Sequence, residues 1–255
     1  MARVDVCYPD SHDTELGFFG FKGQIMDIIG QETLERLSKM DAYSAWQYRA
    51  VEPYLGRRVM EIGSGIGNIS EFFLGRDCVL LTDIGENYLS ILKQRFSTKP
   101  EVRVGPFNLD SGQPSYQDEK IDSIVCMNVL EHIQDDARAL QYLKDTLVPG
   151  GRLALLVPAH QAAYGTLDEA LGHFRRYSKK ELSEKIQAAG FTLEKIFFFN
   201  RVGLFGWWLN GCVLKKKLLP SGQLGLFGKL APVFEKIDPL IAFPFGLSLI
   251  AVAKK

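Results

Sequence analysis

The segment richest in chemistry is Glu61-Ile-Gly-Ser-Gly-Ile-Gly-Asn68. Glycines stand at every second position, after a short apolar run from Val59 and before a stretch that reads as a helix start, Asn68 to Leu74. Glycine lets the main chain take positive φ and lets a ligand approach the backbone closely. At the C-terminal edge of a parallel sheet such a turn faces the ligand crevice. Asp83 ends the next apolar run, Cys78 to Asp83, twenty residues after Gly63. A carboxylate placed there can accept hydrogen bonds from both hydroxyls of a ribose. The plain alternatives are a tight turn without a ligand and an acid that caps the following turn. A dinucleotide fingerprint needs G-x-G-x-x-G, and counted from Gly63 its third glycine falls on Asn68.

Three of the four histidines map to the same end of the expected sheet. His132 follows Ile121–Met127, His160 follows Arg152–Val157, and His173 opens His-Phe-Arg-Arg-Tyr. Each is a candidate base or substrate ligand, and each would serve equally as a cap or loop-packing residue. His12 lies in a polar N-terminal stretch and reads as solvated. Arg175, Arg176, Lys179 and Lys180 flank Tyr177 and suit a carboxylate or phosphate. They equally suit a solvated helix entrance with Ser178 as N-cap. Phe205, Trp207 and Trp208 precede Lys215-Lys-Lys. That order fits a lipid interface, a wall over an apolar substrate, a dimer face, or simple packing.

The elements that must position these residues alternate between strand and helix from Arg57 to Phe199. Near-continuous apolar strands between helices predict a parallel sheet buried on both faces. Before them, Gln31–Lys39 is charged and amphipathic, and Tyr43, Trp46 and Ala50 share one helical face. A strand at Thr192–Phe199 and a last strand at Ser248–Ala253 bracket a stretch too long for a plain loop, which must carry structure of its own. The 255 residues include 30 basic and 30 acidic side chains and are 46% hydrophobic. That balance excludes a disordered chain and removes the bulk charge behind non-specific nucleic-acid binding. Four cysteines form no CxxC pair or zinc spacing, which suits a reduced compartment. The N-terminus lacks the apolar core of a signal peptide, and no apolar run is long enough to span a bilayer.

The E-x-G-x-G-x-G spacing resembles motif I of class I S-adenosylmethionine-dependent methyltransferases. Further matches follow in order: Asn128-Val-Leu-Glu-His-Ile, Leu147-Val-Pro-Gly-Gly, Gly172-His-Phe-Arg-Arg-Tyr-Ser, and Ala188-Ala-Gly-Phe191. The resemblance implies an α/β, Rossmann-like fold with a seven-stranded sheet, six strands parallel and the last antiparallel. It implies that S-adenosylmethionine is the cofactor. Glu61 would order the loop, and Gly63, Ser64, Gly65, Gly67 and Asn68 would line the cofactor. Asp83 and Ile84, Leu109 and Asp110, and Asn128 and Val129 would complete the site, with Asp110 at the adenine.

The expected function is methyl transfer to a small or lipid-like acceptor, at oxygen. His173 and then His160 are the expected catalytic residues. Tyr43, Trp46, His132, Arg175, Arg176 and Tyr177 are expected to bind substrate. Glu131 and His132, with His160 or His173, could also offer ligands to a divalent ion. Some ubiquinone-biosynthesis and RNA-terminal methyltransferases that resemble the chain at this dipeptide use a metal there. Asn128 stands where the RNA enzymes carry another acid, and no metal is expected. Residues 1–56 are expected to form a helical cap, 57–200 with 247–255 the core, and 201–246 a helical insertion. The expected location is cytoplasmic, with peripheral membrane contact left open and no nucleic-acid partner. A nicotinamide-dependent oxidoreductase and a catalytically silent, membrane-associated protein keeping the fold are the competing readings.

Overall fold

The computed structural model describes residues 30–255. His12, Cys7 and the first half of the expected cap lie outside the described residues. Residues 30–37 are helical (α1). Then follow α2 (Asp41–Val51), β1 (Arg58–Ile62), β2 (Cys78–Asp83), α3 (Glu86–Arg95), β3 (Val102–Pro106) and β4 (Ile121–Met127). Next come α4 (Asp136–Thr146), β5 (Leu147–Pro158), α5 (Thr166–Leu171), α6 (Lys179–Ala188) and β6 (Thr192–Phe199). The chain ends with α7 (Arg201–Trp208), α8 (Ser221–Ile237) and β7 (Ser248–Lys254).

The seven strands form one sheet in the order β3-β2-β1-β4-β5-β7-β6. β7 runs antiparallel to both its neighbours, and the other pairings are parallel. Side chains alternate across a strand, so neighbouring residues feed opposite layers. Met60, Leu80, Ile124 and Leu155 join Leu140, Leu143, Leu182 and Ile186, from α4 and α6, on one face. Val59, Val79, Leu81 and Val125 join Leu92 of α3 on the other. Farther along that second face, Trp46 and Val51 of α2 pack on Ala154, Leu156 and Ile250, with Phe227 and Phe234 of α8 behind them. The cap and the insertion therefore meet over the sheet.

Local chemistry sets the helix starts. Asp135 caps α4 by accepting from the Arg138 N–H at 3.0 Å, and Ser178 caps α6 by accepting from the Glu181 N–H at 3.1 Å. One element differs from expectation: after the glycine loop only a 3-10 turn forms, Ser70–Phe73. Another is longer, because β5 begins at Leu147, which pairs with Ile121 before a register shift.

Candidate active site

The sheet order reverses between β1 and β4, so the C-terminal ends of β2, β1, β4 and β5 stand side by side. This is the switch point where open α/β sheets bind ligands. The glycine loop follows β1, Asp83 ends β2, Asn128 follows β4 and His160 follows β5.

The loop is held from below. Glu61 is buried, and its Oε2 accepts from the Ser70 hydroxyl at 2.5 Å. Burial pushes its carboxyl up to about 7, against the pull of the Ser70 and Ser64 hydrogen bonds. The Ser64 N–H donates to Thr82 O, and its Oγ accepts from the Thr82 N–H, which ties the loop to β2. Gly63, Gly65 and Gly67 have φ of +68°, +53° and +85°. A Cβ on Gly63 would stand 2.5 Å from Val129 Cγ2, and one on Gly65 3.0 Å from Leu34 Cδ1. The loop is thus a backbone cradle with no room for side chains. Asp83 closes it: Oδ2 accepts from the Gly65 N–H at 2.8 Å and Oδ1 from the Gly85 N–H at 3.0 Å. Each oxygen keeps a further lone pair for a ribose hydroxyl. Ile84, beside it, is 73% exposed, an apolar side chain that a flat ring can cover. These residues fit a nucleoside cofactor.

Other members of the expected cofactor set have their own partners. Asn68 donates to the Leu34 carbonyl at 3.1 Å and so holds α1 over the loop. Leu109 is buried in the core, and the exposed Asp110 donates its N–H to Asn108 Oδ1. Val129 is half-buried against the core beside Gly63. Asn128 and His160 share a feature that sequence reasoning missed. Both are non-glycine residues with positive φ, +54° and +64°, at the ends of adjacent strands. Such strain gathers at functional sites.

A charged network fills the space behind β4 and β5. Asp168 of α5 is fully buried and accepts four hydrogen bonds. Oδ1 takes His173 Nδ1–H and Arg176 Nε–H, each at 2.8 Å, and Oδ2 takes the Gly165 N–H at 3.0 Å and Trp207 Nε1–H at 3.2 Å. Burial pushes its carboxyl upward, but His173 and Arg176 outweigh that and hold it below the usual range. Glu131 is also fully buried, yet among the described residues neither of its oxygens has a hydrogen-bond partner. Burial drives it up to about 7 and drives His132 down to about 4. The His132 and His173 rings meet edge to face, 4.7 Å between centroids. Gly165, His173 and Arg176 lie within eight residues of Asp168, while Trp207 comes from α7, 39 residues on.

Several residues expected to bind substrate are packed instead. Trp46 is 5% exposed and sits 4.5 Å from the Phe199 ring. Tyr43 lies against Trp46, Phe199 and Phe227, and burial raises its hydroxyl to about 12. Arg176 is 1% exposed and paired with Asp168. Tyr177 is buried on Asp136, which also pairs with Arg175 at 2.8 Å. The basic cluster thus spends both arginines on internal carboxylates.

A cleft of about 720 Å³ opens beside β5, lined by His160, Ala163, Leu204, Phe205, Trp208 and Phe245 among others. The two tryptophans divide here. Trp208 lines the cleft and is 43% exposed. Trp207 turns into the network, with the Arg176 guanidinium 4.8 Å over its ring. The His160 ring stacks on Phe198 at 5.0 Å, and its Nε2 accepts a long 3.4 Å bond from the Gly246 N–H. Burial and the Arg176 charge lower its pKa, so the imidazole is neutral near pH 7.

Residues 31–196 match the sequence pattern of the methyltransferase-domain family, more than half of the chain. The chain belongs to the S-adenosylmethionine-dependent methyltransferase family. It is 29% identical over 119 residues to the tRNA U34 carboxymethyltransferase of Pseudomonas fluorescens, covering 44% of this chain and 37% of that protein. It thus spans less than half the length of that curated relative. It is 23% identical over 173 residues to the demethylmenaquinone methyltransferase of Clavibacter sepedonicus, covering 56% and 69%. A crystal structure of an S-adenosylmethionine-dependent methyltransferase from Mesorhizobium loti superposes with a TM-score of 0.57 at 15% identity. It covers 82% of this chain and 98% of that one and shares the fold. The family match sets aside the nicotinamide reading. The expectation that nucleic acid has no part gains no support from a relative named for tRNA.

Proposed function

We propose that the chain transfers a methyl group from S-adenosylmethionine to an oxygen of a small or lipid-like acceptor held in the apolar cleft beside His160. The observation that carries this reading is the cleft itself, two strands from the glycine loop and walled by aromatic side chains around one neutral imidazole. The cofactor would lie on Gly63, Gly65 and Gly67 with its ribose at Asp83 and its base near Ile84. Bound there, it supplies a methyl group already activated by the sulfonium. The protein must align the acceptor, exclude water and take a proton. Alignment contributes up to about 7–11 kcal/mol in favourable cases. A base adds about 10²–10⁴-fold. Of the two histidines expected as base, His160 faces the cleft. A substrate hydroxyl can displace its weak bond from Gly246. His173 is held through Nδ1 by Asp168 and does not line the cleft.

The insertion supports an acceptor carried at an anionic surface. Phe205, Trp208, Val213 and Leu214 are 68%, 43%, 50% and 52% exposed, next to Lys215, Lys216 and Lys217. Among the described residues no helix is long and apolar enough to cross a membrane. Contact would be peripheral, with each lysine near an anionic surface contributing about 1 kcal/mol. No observation in the site favours a nucleic-acid acceptor, because Arg175 and Arg176 are paired within the chain.

The test follows transfer of labelled methyl into an organic extract. Acceptors are presented in solution, in neutral vesicles and in anionic vesicles. Trp208→Ala is expected to raise the acceptor KM about tenfold, the loss of one buried aromatic contact of about 1.4 kcal/mol, with cofactor affinity unchanged. Transfer that requires anionic lipid and falls on Lys215→Ala with Lys217→Ala supports the surface-bound acceptor. Transfer indifferent to lipid removes that part. Unchanged KM in Trp208→Ala removes the cleft.

A further inference from the structure

His160 holds a backbone conformation that needs a reason. Its φ of +64° and ψ of +102° lie outside the regions that a residue with a Cβ adopts readily. Such a conformation persists only where the surroundings over-determine it. Here they do so on both sides. The Ala159 N–H donates to the Leu247 carbonyl at 2.9 Å, and Ala159 forms a parallel bridge with Tyr177. The His160 N–H donates to the Tyr177 carbonyl at 2.9 Å, and the Tyr177 N–H to the Pro158 carbonyl at 2.9 Å. After His160, the Ala163 N–H donates back to its carbonyl at 2.8 Å, which starts the 3-10 turn Gln161–Ala163.

Arg176 spans this bend. Its Nη1–H donates to the Ala159 carbonyl at 3.0 Å, and its main-chain N–H donates to Gln161 Oε1 at 3.0 Å. One residue thus grips the neighbours of His160 before and after it. Two groups aim the guanidinium. Asp168 Oδ1 accepts from Nε–H at 2.8 Å, and the Trp207 ring lies under the guanidinium at 4.8 Å. Asp168 Oδ2 also accepts from Trp207 Nε1–H at 3.2 Å. Trp207 stands in α7 next to Trp208, which lines the cleft. The strand end that carries His160 and the helix that walls the cleft are therefore tied to one carboxylate.

Stability alone does not account for the Arg176–Asp168 pair. Both side chains are buried. Taking two charges out of water costs about as much as their attraction returns, and apolar residues of similar volume often serve as well. What an apolar side chain cannot do is point several donors in fixed directions, as a planar guanidinium does. The sequence expects Arg176 to meet substrate. Folding turns it onto the main chain beside His160 instead.

We propose that Arg176, aimed by Asp168, is the positioning residue of His160, fixing the bend at residues 159–161 so that the imidazole stacks on Phe198 at the edge of the cleft. What His160 does there rests on the methyl-transfer reading, but how it is held does not.

The test has two arms, both on the full chain. The first needs no turnover. Histidine rings are labelled with ¹³C, and the His160 signal is assigned by its loss in His160→Gln. The ring of Phe198, 5.0 Å away and nearly parallel, shifts the His160 ring protons upfield. Arg176→Lys keeps the charge and loses the fork, and should move that signal toward the unstacked position. Gln161→Ala, at an exposed position, removes one grip and should move it the same way by less. It decides the matter if circular dichroism shows Arg176→Lys unfolded. A His160 signal unmoved in every folded variant overturns the proposal. The second arm is kinetic. Arg176→Lys should lower kcat about 100-fold with the acceptor KM within about twofold, because a small misplacement of a catalytic group costs that much. Combined with His160→Gln it should add no further loss, since Arg176 acts through His160. Losses that multiply overturn the proposal. Equal rates in His160→Gln and wild type, with a signal that still moves in Arg176→Lys, would remove the base from the methyl-transfer reading and leave the positioning role standing.

Discussion

Gly65→Val is expected to abolish S-adenosylhomocysteine binding while leaving the chain folded. Gly65 holds φ at +53°, where a β-branched residue is an outlier. The left-handed conformation costs an L-residue about 1–2 kcal/mol, more when branched. The added Cβ would start 3.0 Å from Leu34 Cδ1, so the valine methyls must displace α1 or rotate into the cradle. If the loop instead moves to relieve the strain, the Gly65 N–H leaves Asp83. Either way the cofactor surface is lost, and affinity should fall at least about 100-fold, about 2.7 kcal/mol. A cost of this size is a fraction of the about 5–15 kcal/mol that holds a domain folded. Gly75→Val is the control. Gly75 has φ +78° with nothing within 4 Å of an added Cβ, so it bears the backbone penalty alone. Calorimetric titration with circular dichroism checks both. A folded Gly65→Val chain with normal affinity would reduce the loop to a turn.

Asp83→Ala should weaken the same ligand by about 10–100-fold. Charge-assisted hydrogen bonds to ribose contribute about 1.5–3 kcal/mol. The substitution also frees the Gly65 and Gly85 N–H groups, so part of the loss comes through the loop. Asp83→Asn separates the two contributions. It keeps one acceptor for the loop but gives up the charge, and should fall between wild type and alanine. Unchanged affinity in Asp83→Ala, measured by the same titration, would place the ribose elsewhere.

Much of the frame was legible because its signals are local. β2, β4 and β6 occupy the stretches that their apolar runs mark, and Ser178 caps α6 as its type suggests. The seven-stranded sheet with an antiparallel last strand followed from ordered motifs. What failed were statements about partners. Periodicity puts Tyr43 and Trp46 on one apolar face of α2, but only the fold shows that Phe199 and Phe227 cover it. Arg175 and Arg176 look like an anion site until Asp136 and Asp168 are brought to them. Trp207 and Trp208 read alike in sequence. One residue of α-helix turns the side chain by about 100°, enough to send one into the Asp168 network and the other to the cleft. The 3-10 turn after the loop is shorter than the expected helix, and its Ser70 hydroxyl is bonded back to Glu61.

The most direct measurement is the structure of the chain crystallised with S-adenosylhomocysteine. The expected complex has its ribose hydroxyls within hydrogen-bond distance of the Asp83 carboxylate, its amino-acid end on the Gly63–Gly67 backbone, and its sulfur turned toward the strand ends that carry Asn128 and His160. A ligand bound away from the glycine loop, or with its sulfur turned from the His160 cleft, would contradict it.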